Sequence, residues 1–265
     1  MSSTKSNPTN IQLRPATLSD AHQMCTLSIA AYEPNPVPRF LFPKAHIYPQ
    51  DQFRAQKQST VRTILSPANH VMVAYLKDNP SKVVGYASSA RLGDDTGAQE
   101  FRQSKPLLSR LITSVLLTLF STWYAVSNKI WKNHAASPEN MQVLMNGRKM
   151  DESKYWDGEK FPVRKNRWYV NTLVVDPEYQ GRGVGRVLMK DVLERAQRER
   201  VPVGLSASPE GEFLYRKLGF EYLGDFSMRI DSVLEGDKPG GGHFLWLPEG
   251  VDRTTLKSTA EHRTV

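Results

Sequence analysis

Gly181, Gly183 and Gly185 alternate through the stretch VDPEYQGRGVGRVLM, residues 175–189. An apolar run, YVNTLVV, precedes them, and a helix-like run, RVLMKDVLERAQ, follows. Glycine costs stability inside a strand or helix. Its concentration at a junction therefore marks backbone that must approach something closely. A strand that enters a glycine-rich turn and then a helix is an anion cradle. The first N–H groups of the helix lack intrahelical partners, and the helix dipole favours negative charge there. The spacing rules out two common cradles. A nucleotide-triphosphate loop ends in Gly-Lys-Ser/Thr, whereas this one continues GRVL. The dinucleotide fingerprint G-x-G-x-x-G opens a parallel unit, whereas GRGVG lies deep in the chain.

Other reactive side chains carry less. Cys25 is the only cysteine, so no intrachain disulfide forms. On a helix with only His22 near it, Cys25 reads as a small buried hydrophobe rather than a nucleophile. The six histidines show no metal-ligand spacing, so no metal is expected.

The elements that would position the cradle follow from periodicity. IQLRPATLSDAHQMCTLSIAAY reads as a strand and then a helix, started by a Thr17–Asp20 capping box. NPVPRFLFP reads as a proline-broken loop, and DQFRAQKQSTVRTILS as a second helix. HVMVAYL and VVGYASSAR read as a hairpin across KDNPSK. Residues 93–166 differ, being helical and then strongly charged. RWYVNTLVV leads into the glycine junction and a helix to about Arg200. VPVGLSA is a strand, and PEGEFLYRKLGF a short helix closed by Gly219. EYLGDFSMRI and GHFLWLP are further strands around a flexible GDKPGGG, and TTLKSTAEHRTV is a disordered tail. The alternation is mixed α/β.

The chain has 265 residues, 39% of them hydrophobic, and a net charge of +8. That charge suits a phosphate-rich ligand, or surface solubility alone. It lacks the interleaved aromatic–basic pattern of nucleic-acid binding, so no nucleic acid is expected. MSSTKSNPTN has no apolar signal-peptide core, so a cytoplasmic or nuclear location is expected.

Gln180, Gly183 and Gly185 form Gln-x-x-Gly-x-Gly after LVVDPEY. This resembles the acyl-CoA N-acyltransferase (GNAT) superfamily, whose loop of this spacing grips the pyrophosphate of acetyl-CoA. LSASPEGEFLYRKLGFE is similar to that family's second cofactor segment, and LRPATLSD to its opening strand and helix. The resemblance spans residues 11–92 and 167–247 and is most specific from 168 to 222. It implies an α/β fold with a mixed, mostly antiparallel twisted sheet flanked by helices. A helical and charged insertion, 93–166, falls before the cofactor-binding strand. A single domain would cover residues 1–250, with 251–265 as tail.

The resemblance also implies an acetyl-CoA-dependent N-acetyltransferase that passes the acetyl group directly to an amine. It places Gln180, Gly181, Arg182, Gly183, Val184, Gly185, Arg186 and Ser208 against acetyl-CoA. It draws the oxyanion donor from the backbone of Leu173, Val174 and Val175. Tyr215 stands where the family has its general acid. A phenol of pKa about 10 can protonate a departing thiolate whose conjugate acid lies near 8.5. Lys190, Arg195, Arg198 and Arg200 read as a solvated helix face. An alkyl amine is only about one part in a thousand neutral at pH 7, a penalty of roughly 4 kcal/mol. Many family members place a carboxylate on or beside the strand at 168–175. Here Tyr169 and Asn171 are the polar groups of that strand, and Glu178 lies in the loop, so no base is assigned.

LLSRLITSVLLTLFSTWYAV, residues 107–126, repeats apolar pairs: Leu107/Leu108, Leu111/Ile112, Val115/Leu116, Leu119/Phe120 and Trp123/Tyr124. That is one amphipathic helix face. Three readings follow. The helix packs over the sheet or on a second copy of the chain. It forms a lid whose Trp123 and Trp131 touch the acceptor, which Asn171 of the strand would also meet. Or it docks on a membrane surface beside Lys129 and Lys132. NGRKMDESKYWDGEKFPVRKNR reads as an exposed loop. A small-molecule amine is the expected acceptor, with a protein or peptide amine, or a non-catalytic acyl-CoA-binding module, as the alternatives.

Overall fold

The computed structural model describes residues 10–228 and 240–251. Its strands are β1 (Ile11–Pro15), β2 (Asn69–Leu76), β3 (Asn79–Leu92), β4 (Arg167–Val175), β5 (Val203–Ala207), β6 (Glu221–Gly224) and β7 (Gly242–Trp246). They form one seven-stranded sheet in the order β1-β2-β3-β4-β5-β7-β6. Every neighbouring pair is antiparallel except β4 and β5. The helices are α1 (Ala21–Ala31), α2 (Pro36–Leu41), α3 (Pro49–Leu65), α4 (Thr96–Gln103), α5 (Leu107–Ile130), α6 (Pro138–Asp151), α7 (Pro162–Lys165), α8 (Val184–Glu199) and α9 (Pro209–Lys217). A π-helical turn, Glu152–Trp156, follows α6. This is the mixed, mostly antiparallel α/β architecture expected, with the helical insertion between β3 and β4.

Alternation along each strand supplies two apolar faces. On one face, Trp168, Val170, Val203, Leu205 and Phe244 pack on Met189, Val192 and Ala196 of α8 and on Tyr215 of α9. On the other, Met24 and Leu27 of α1 cover Val71, Val73, Val83, Tyr86 and Val174. Further along that second face, Tyr155 and Trp156 close over Leu223, Leu245 and Leu247. Gly204 makes this roof fit: a Cβ there would sit 2.5 Å from Trp156 Cη2.

Two segments differ from the sequence reading. NPVPRFLFP holds the short helix α2, because Pro36 occupies the first turn, where no N–H is needed, and Asn35 accepts the N–H of Val37 at 2.9 Å. NGRKMDESKYWDGEKFPVRKNR is largely helical and partly core rather than an exposed loop. Tyr155, Trp156, Arg164 and Arg167 are all buried. Both arginines stack on rings: Arg164 lies 4.0 Å from the Phe161 centroid, and Arg167 lies 4.9 Å from that of Trp156. Strand β6 ends at Gly224, short of the stretch expected. Residues 229–239, which hold most of GDKPGGG, and the tail from 252 lie outside the described residues.

Helix α5 lies on α3, not over the sheet. Leu116, Leu117 and Phe120 pack on Ala21, Val61 and Leu65. The expected apolar face therefore points largely outward: Leu107, Leu108, Leu111, Ile112, Val115, Leu119 and Trp123 are exposed.

The join of β1 to α1 depends on a two-pronged ion pair. Arg14 donates to both oxygens of Asp20 at 2.7 Å, and Thr17 adds its backbone N–H at 2.8 Å and its hydroxyl at 2.9 Å. The Arg14 bonds, against the opposing cost of burial, lower the Asp20 pKa to about 2. A lowered carboxyl stabilises the fold above its ordinary pKa and loses that contribution as pH falls toward 2. Asp20→Asn should therefore cost on the order of 2 kcal/mol at neutral pH. The gap to wild type should close as urea midpoints are followed downward from pH 5.

Candidate functional site

The loop after β4 begins with a 3-10 turn, Pro177–Tyr179, capped by Asp176, which accepts the N–H of Glu178. The chain then turns through Gly181 (φ 71°) and Gly183 (φ 86°), left-handed conformations that favour glycine. Gly183 is the N-cap of α8, so the free N–H groups of the first turn of a 16-residue helix open at this loop. Gly181 faces open space, and Gly185 packs closely, its missing Cβ 3.1 Å from Leu214 Cδ2. Arg186 is exposed, and Arg182 lies 5.1 Å from the Tyr179 ring centroid. Lys82 reaches the same ring from β3 and donates to the Tyr179 hydroxyl at 3.2 Å. The sequence reading had not named Lys82, which joins the loop only through the sheet.

Beside the loop, two strands part. Parallel pairing of β4 with β5 covers Trp168↔Val203, Tyr169↔Gly204 and Val170↔Leu205 and goes no further. The register of β4 on β3 slips where Ser88 pairs Thr172 and Ser89 pairs Val170, leaving Asn171 as the extra residue of a bulge. Beyond it, the Asp176 N–H donates to the Val84 carbonyl at 3.0 Å. The antiparallel alternation then directs Val174 toward β3 and turns the N–H groups of Leu173 and Val175 to the side β5 has left. Val174 is buried, its side chain among the α1 contacts. The Val175 carbonyl on the open side accepts from Gln180 Nε2 at 3.3 Å. The result is an unpaired strand edge leading from the glycine loop to the point of divergence, about 17 Å away at ~3.3 Å per residue. It can receive an extended ligand arm whose anionic end sits on the helix start.

Tyr215 comes to this cleft from α9. Its ring packs in the core at 5.7 Å from Phe220, and Ser208 caps the helix by accepting the N–H of Gly211. Burial raises the Tyr215 pKa, and the nearby Tyr32 phenol raises it further. The group therefore holds its proton at neutral pH and can release it only to a strong base formed beside it. Tyr32 stands at the end of α1, and its own pKa is raised by burial. Tyr86 hydrogen-bonds Ser28 behind it. No spacing in the sequence links Tyr32 to Tyr215.

A polar chain lies at the divergence point. Ser206, the first β5 residue past the last rung, is exposed in the middle of the sheet. Its cross-strand partner is His243 on β7. Ser206 Oγ lies 3.1 Å from His243 Nδ1 and 2.8 Å from the Tyr169 hydroxyl. His243 is buried under Tyr155, with ring centroids 4.7 Å apart, and its Nε2 is 3.1 Å from Asp151 Oδ2 in a bent approach. Asp151 also accepts the N–H of Ser227 at 2.7 Å. Burial pushes the Asp151 pKa up, and the bonds from His243 and Ser227 outweigh it, leaving the carboxyl below its ordinary value. Asp151, Ser206 and His243 were not among the residues singled out from the sequence.

The remaining candidates lie apart. Asn171 is exposed at the bulge, beside Ser206's strand. Trp123 and Trp131 are exposed on and after α5, which rests on α3, and the Trp131 carbonyl accepts from Arg54 at 2.9 Å. The aromatic cover over the sheet is Tyr155 and Trp156 instead, because the turn after α6, not α5, returns across β5 and β7. Lys190 and Arg195 pair with Glu194 and Asp191 on the α8 surface. Cys25 is buried beside Thr60, and burial pushes its thiol pKa up.

Comparison with known proteins agrees with this architecture. Residues 131–228 match the family model of the acetyltransferase (GNAT) domain. An acetyltransferase of Stachybotrys chartarum is 26% identical over 239 residues, 88% of each chain. The N-alpha-acetyltransferase RimI of Mycobacterium tuberculosis is 39% identical over 56 residues, 21% of this chain and 35% of that one. A Corynebacterium glutamicum structure described as histone acetyltransferase HPA2 and related acetyltransferase superposes with a TM-score of 0.51 at 18% identity, over 92% of this chain and 99% of that one. That likeness concerns the fold. Residues 131–228 thus match a GNAT acetyltransferase domain, and the sheet that parts between β4 and β5, with the glycine loop at its mouth, agrees with that match.

Proposed function

We propose that the chain transfers an acetyl group from acetyl-CoA to the amine of a small molecule. The observation that carries this is the open β4 edge running from the Gly181–Gly185 loop to the divergence point. The residues present fit coenzyme A. Positive φ at Gly181 and Gly183 leaves backbone N–H groups free to meet a pyrophosphate, and Arg182, Arg186 and Lys82 supply positive charge around it. The Leu173 and Val175 amides can hydrogen-bond an extended pantetheine arm as a missing strand would. One of them can donate to the thioester oxygen as charge builds there. Tyr215 holds the proton that the departing thiolate needs.

The acceptor reading rests on the roof. Tyr155 and Trp156 cover the sheet beside Ser206 and narrow the approach to the divergence point from that side. A narrow approach suits a small amine better than a folded protein surface. Acetylation of a protein N-terminus is the second reading, favoured by the 56-residue likeness to an N-alpha-acetyltransferase. A screen of small amines and peptides with acetyl-CoA, read as free thiol, separates the two.

Gly183→Asp should put a carboxylate and a Cβ where the pyrophosphate lies. Repulsion in the cradle should weaken coenzyme A binding by several kcal/mol, on the order of 10²-fold or more, with the fold retained by circular dichroism. Calorimetric titration measures it, and wild-type affinity in the folded variant would remove the cradle assignment.

Tyr215→Phe keeps the ring in the core and removes one hydroxyl. Turnover should fall roughly 10²–10⁴-fold with coenzyme A affinity little changed. Unaltered turnover would leave Tyr215 a packing residue.

A further inference from the structure

We infer that Ser206, His243 and Asp151 form the proton-accepting relay for the attacking amine, an inference that rests on the acetyl-transfer reading. The β4 strand offers no carboxylate, yet an alkyl amine must lose a proton to react. A polar chain leads inward from the divergence point and starts at Ser206. Its direction is set by what each atom can do. Asp151, its pKa lowered, is ionised and can only accept, so the ring nitrogen facing its Oδ2 at 3.1 Å, Nε2, is the one that carries a hydrogen. That leaves the Nδ1 lone pair to accept the Ser206 hydroxyl at 3.1 Å. Ser206 Oγ in turn accepts from Tyr169 or from an incoming amine.

The transfer balances. The amine nitrogen bonds the thioester carbon, and the carbon–sulfur bond breaks. Before attack the substrate ammonium gives one proton to Ser206 Oγ while the serine's own proton passes to His243 Nδ1, and the second nitrogen proton, lost as the amide forms, replaces the one that Tyr215 gives up. The sulfur takes the Tyr215 proton. Ser206 is thus the residue that touches substrate, and His243 and Asp151 act through it. Facing His243 are Asp151 from α6, Tyr155 and Trp156 from the π turn, Phe226 after β6 and Ser206 from β5. Arg167 lies beyond the Trp156 ring, and Arg164 donates to the Tyr155 carbonyl at 2.8 Å. Asp151 is thus the carboxylate next to the imidazole and holds the charge that forms on it. The insertion between β3 and β4 supplies that carboxylate.

The test uses the full chain and the acceptor found in the screen. Ser206→Ala sits at an exposed position and keeps the fold. With an alkyl amine, kcat should fall roughly 10²–10³-fold near pH 7, and the loss should shrink as pH approaches the amine's own pKa. A weakly basic amine such as a hydrazide, already neutral at pH 7, should lose far less. The ¹⁵N resonances of the His243 ring should shift in Ser206→Ala without any substrate. Asp151→Asn should change the pH profile in the same direction. Equal loss for both amine types, or an unchanged profile, overturns the relay while thiol release by wild type keeps the acetyltransferase reading. Wild-type inactivity with every acceptor overturns both.

A separate observation concerns α5. We propose that its outer face docks on an anionic lipid surface, lying in the plane of the bilayer. The helix has 24 residues, about 36 Å, and is long and apolar enough to cross a membrane by length and composition. Its inner stripe is engaged, however. Phe120 and its neighbours pack on α1 and α3, Gln58 and Asn128 exchange side-chain bonds at 2.9 and 3.2 Å, and Arg54 holds the Trp131 carbonyl. Crossing a bilayer would strip these contacts away, whereas lying flat keeps them. Leu108, Ile112, Val115, Leu119, Trp123 and Ile130 then form an outward apolar stripe larger than soluble surfaces usually carry.

Charge selects the occupant. No acidic residue occurs between Glu100 and Glu139, while Lys105 and Arg110 sit at one end of α5 and Lys129 and Lys132 at the other. Pairing with a second copy, in either direction, would set basic ends against basic ends. Anionic headgroups would neutralise both. The full chain should therefore co-sediment with phosphatidylcholine vesicles containing phosphatidylserine at low salt, and less as salt rises. Val115→Glu with Leu119→Glu should abolish sedimentation and leave acetylation in solution unchanged. No sedimentation with these vesicles at low salt overturns the proposal. So does a dimer by light scattering that the same substitutions dissociate, or carbonate-resistant insertion, which would mark a spanning helix.

Discussion

Two parallel strands separate after three rungs, and the unpaired backbone this leaves is the constraint on which the rest of the molecule depends. Strand edges buried without partners are costly. Here the β4 edge can remain open because it borders a cleft. The bulge at Asn171 drives the divergence by adding a residue to β4 that β3 does not match. Parting opens a passage through the sheet, so groups from both faces come near each other: Tyr215 from the α8/α9 side and Tyr32 from the other.

Each side of the passage is held by packing suited to its task. On the α8 side the core is dry. Trp168 is fully buried, with its indole N–H given to Glu199 at 3.0 Å, and Arg91 bridges Glu199 and Asp95 at 2.7 and 2.6 Å. This fixes β4 against α8 and α4 and so sets the angle of the helix whose first turn closes the glycine loop. On the opposite side the packing is aromatic with embedded polar groups. His243, Arg164 and Arg167 are buried among Tyr155, Trp156 and Phe161 rather than among aliphatic side chains. Rings tolerate buried cations and imidazole through their negative faces.

The insertion between β3 and β4 divides into two parts with different physical roles. Its first half, α5, adds a third layer on α3 and leaves an apolar stripe outward. Its second half returns to the sheet, where Tyr155 and Trp156 cover β5 and β7 and Asp151 meets His243. Gly204 and Gly224 permit that return, since a Cβ at either would fall within 2.6 Å of the Trp156 or Tyr155 ring system.

The sequence alone determined whatever depends on neighbours along the chain. The Gln180–Gly185 spacing, the strand before it and the helix after it are local, because positive φ and free helix N–H groups arise within a few residues. Most strands and long helices were legible for the same reason, as was the Thr17–Asp20 cap. The α2 turn and residues 146–167 were not. Proline at a first helical turn reads like a breaker, and guanidinium groups count as polar in any periodicity although ring stacking buries them. Only the tertiary structure decided which face of α5 is covered, because that helix is apolar on two sides and α3 could take just one. It alone brought Asp151, Ser206 and His243 together from a helix end and two strands. No spacing encodes that meeting, which follows from the register that sets Ser206 opposite His243 and from the turn that carries Asp151 back over the sheet.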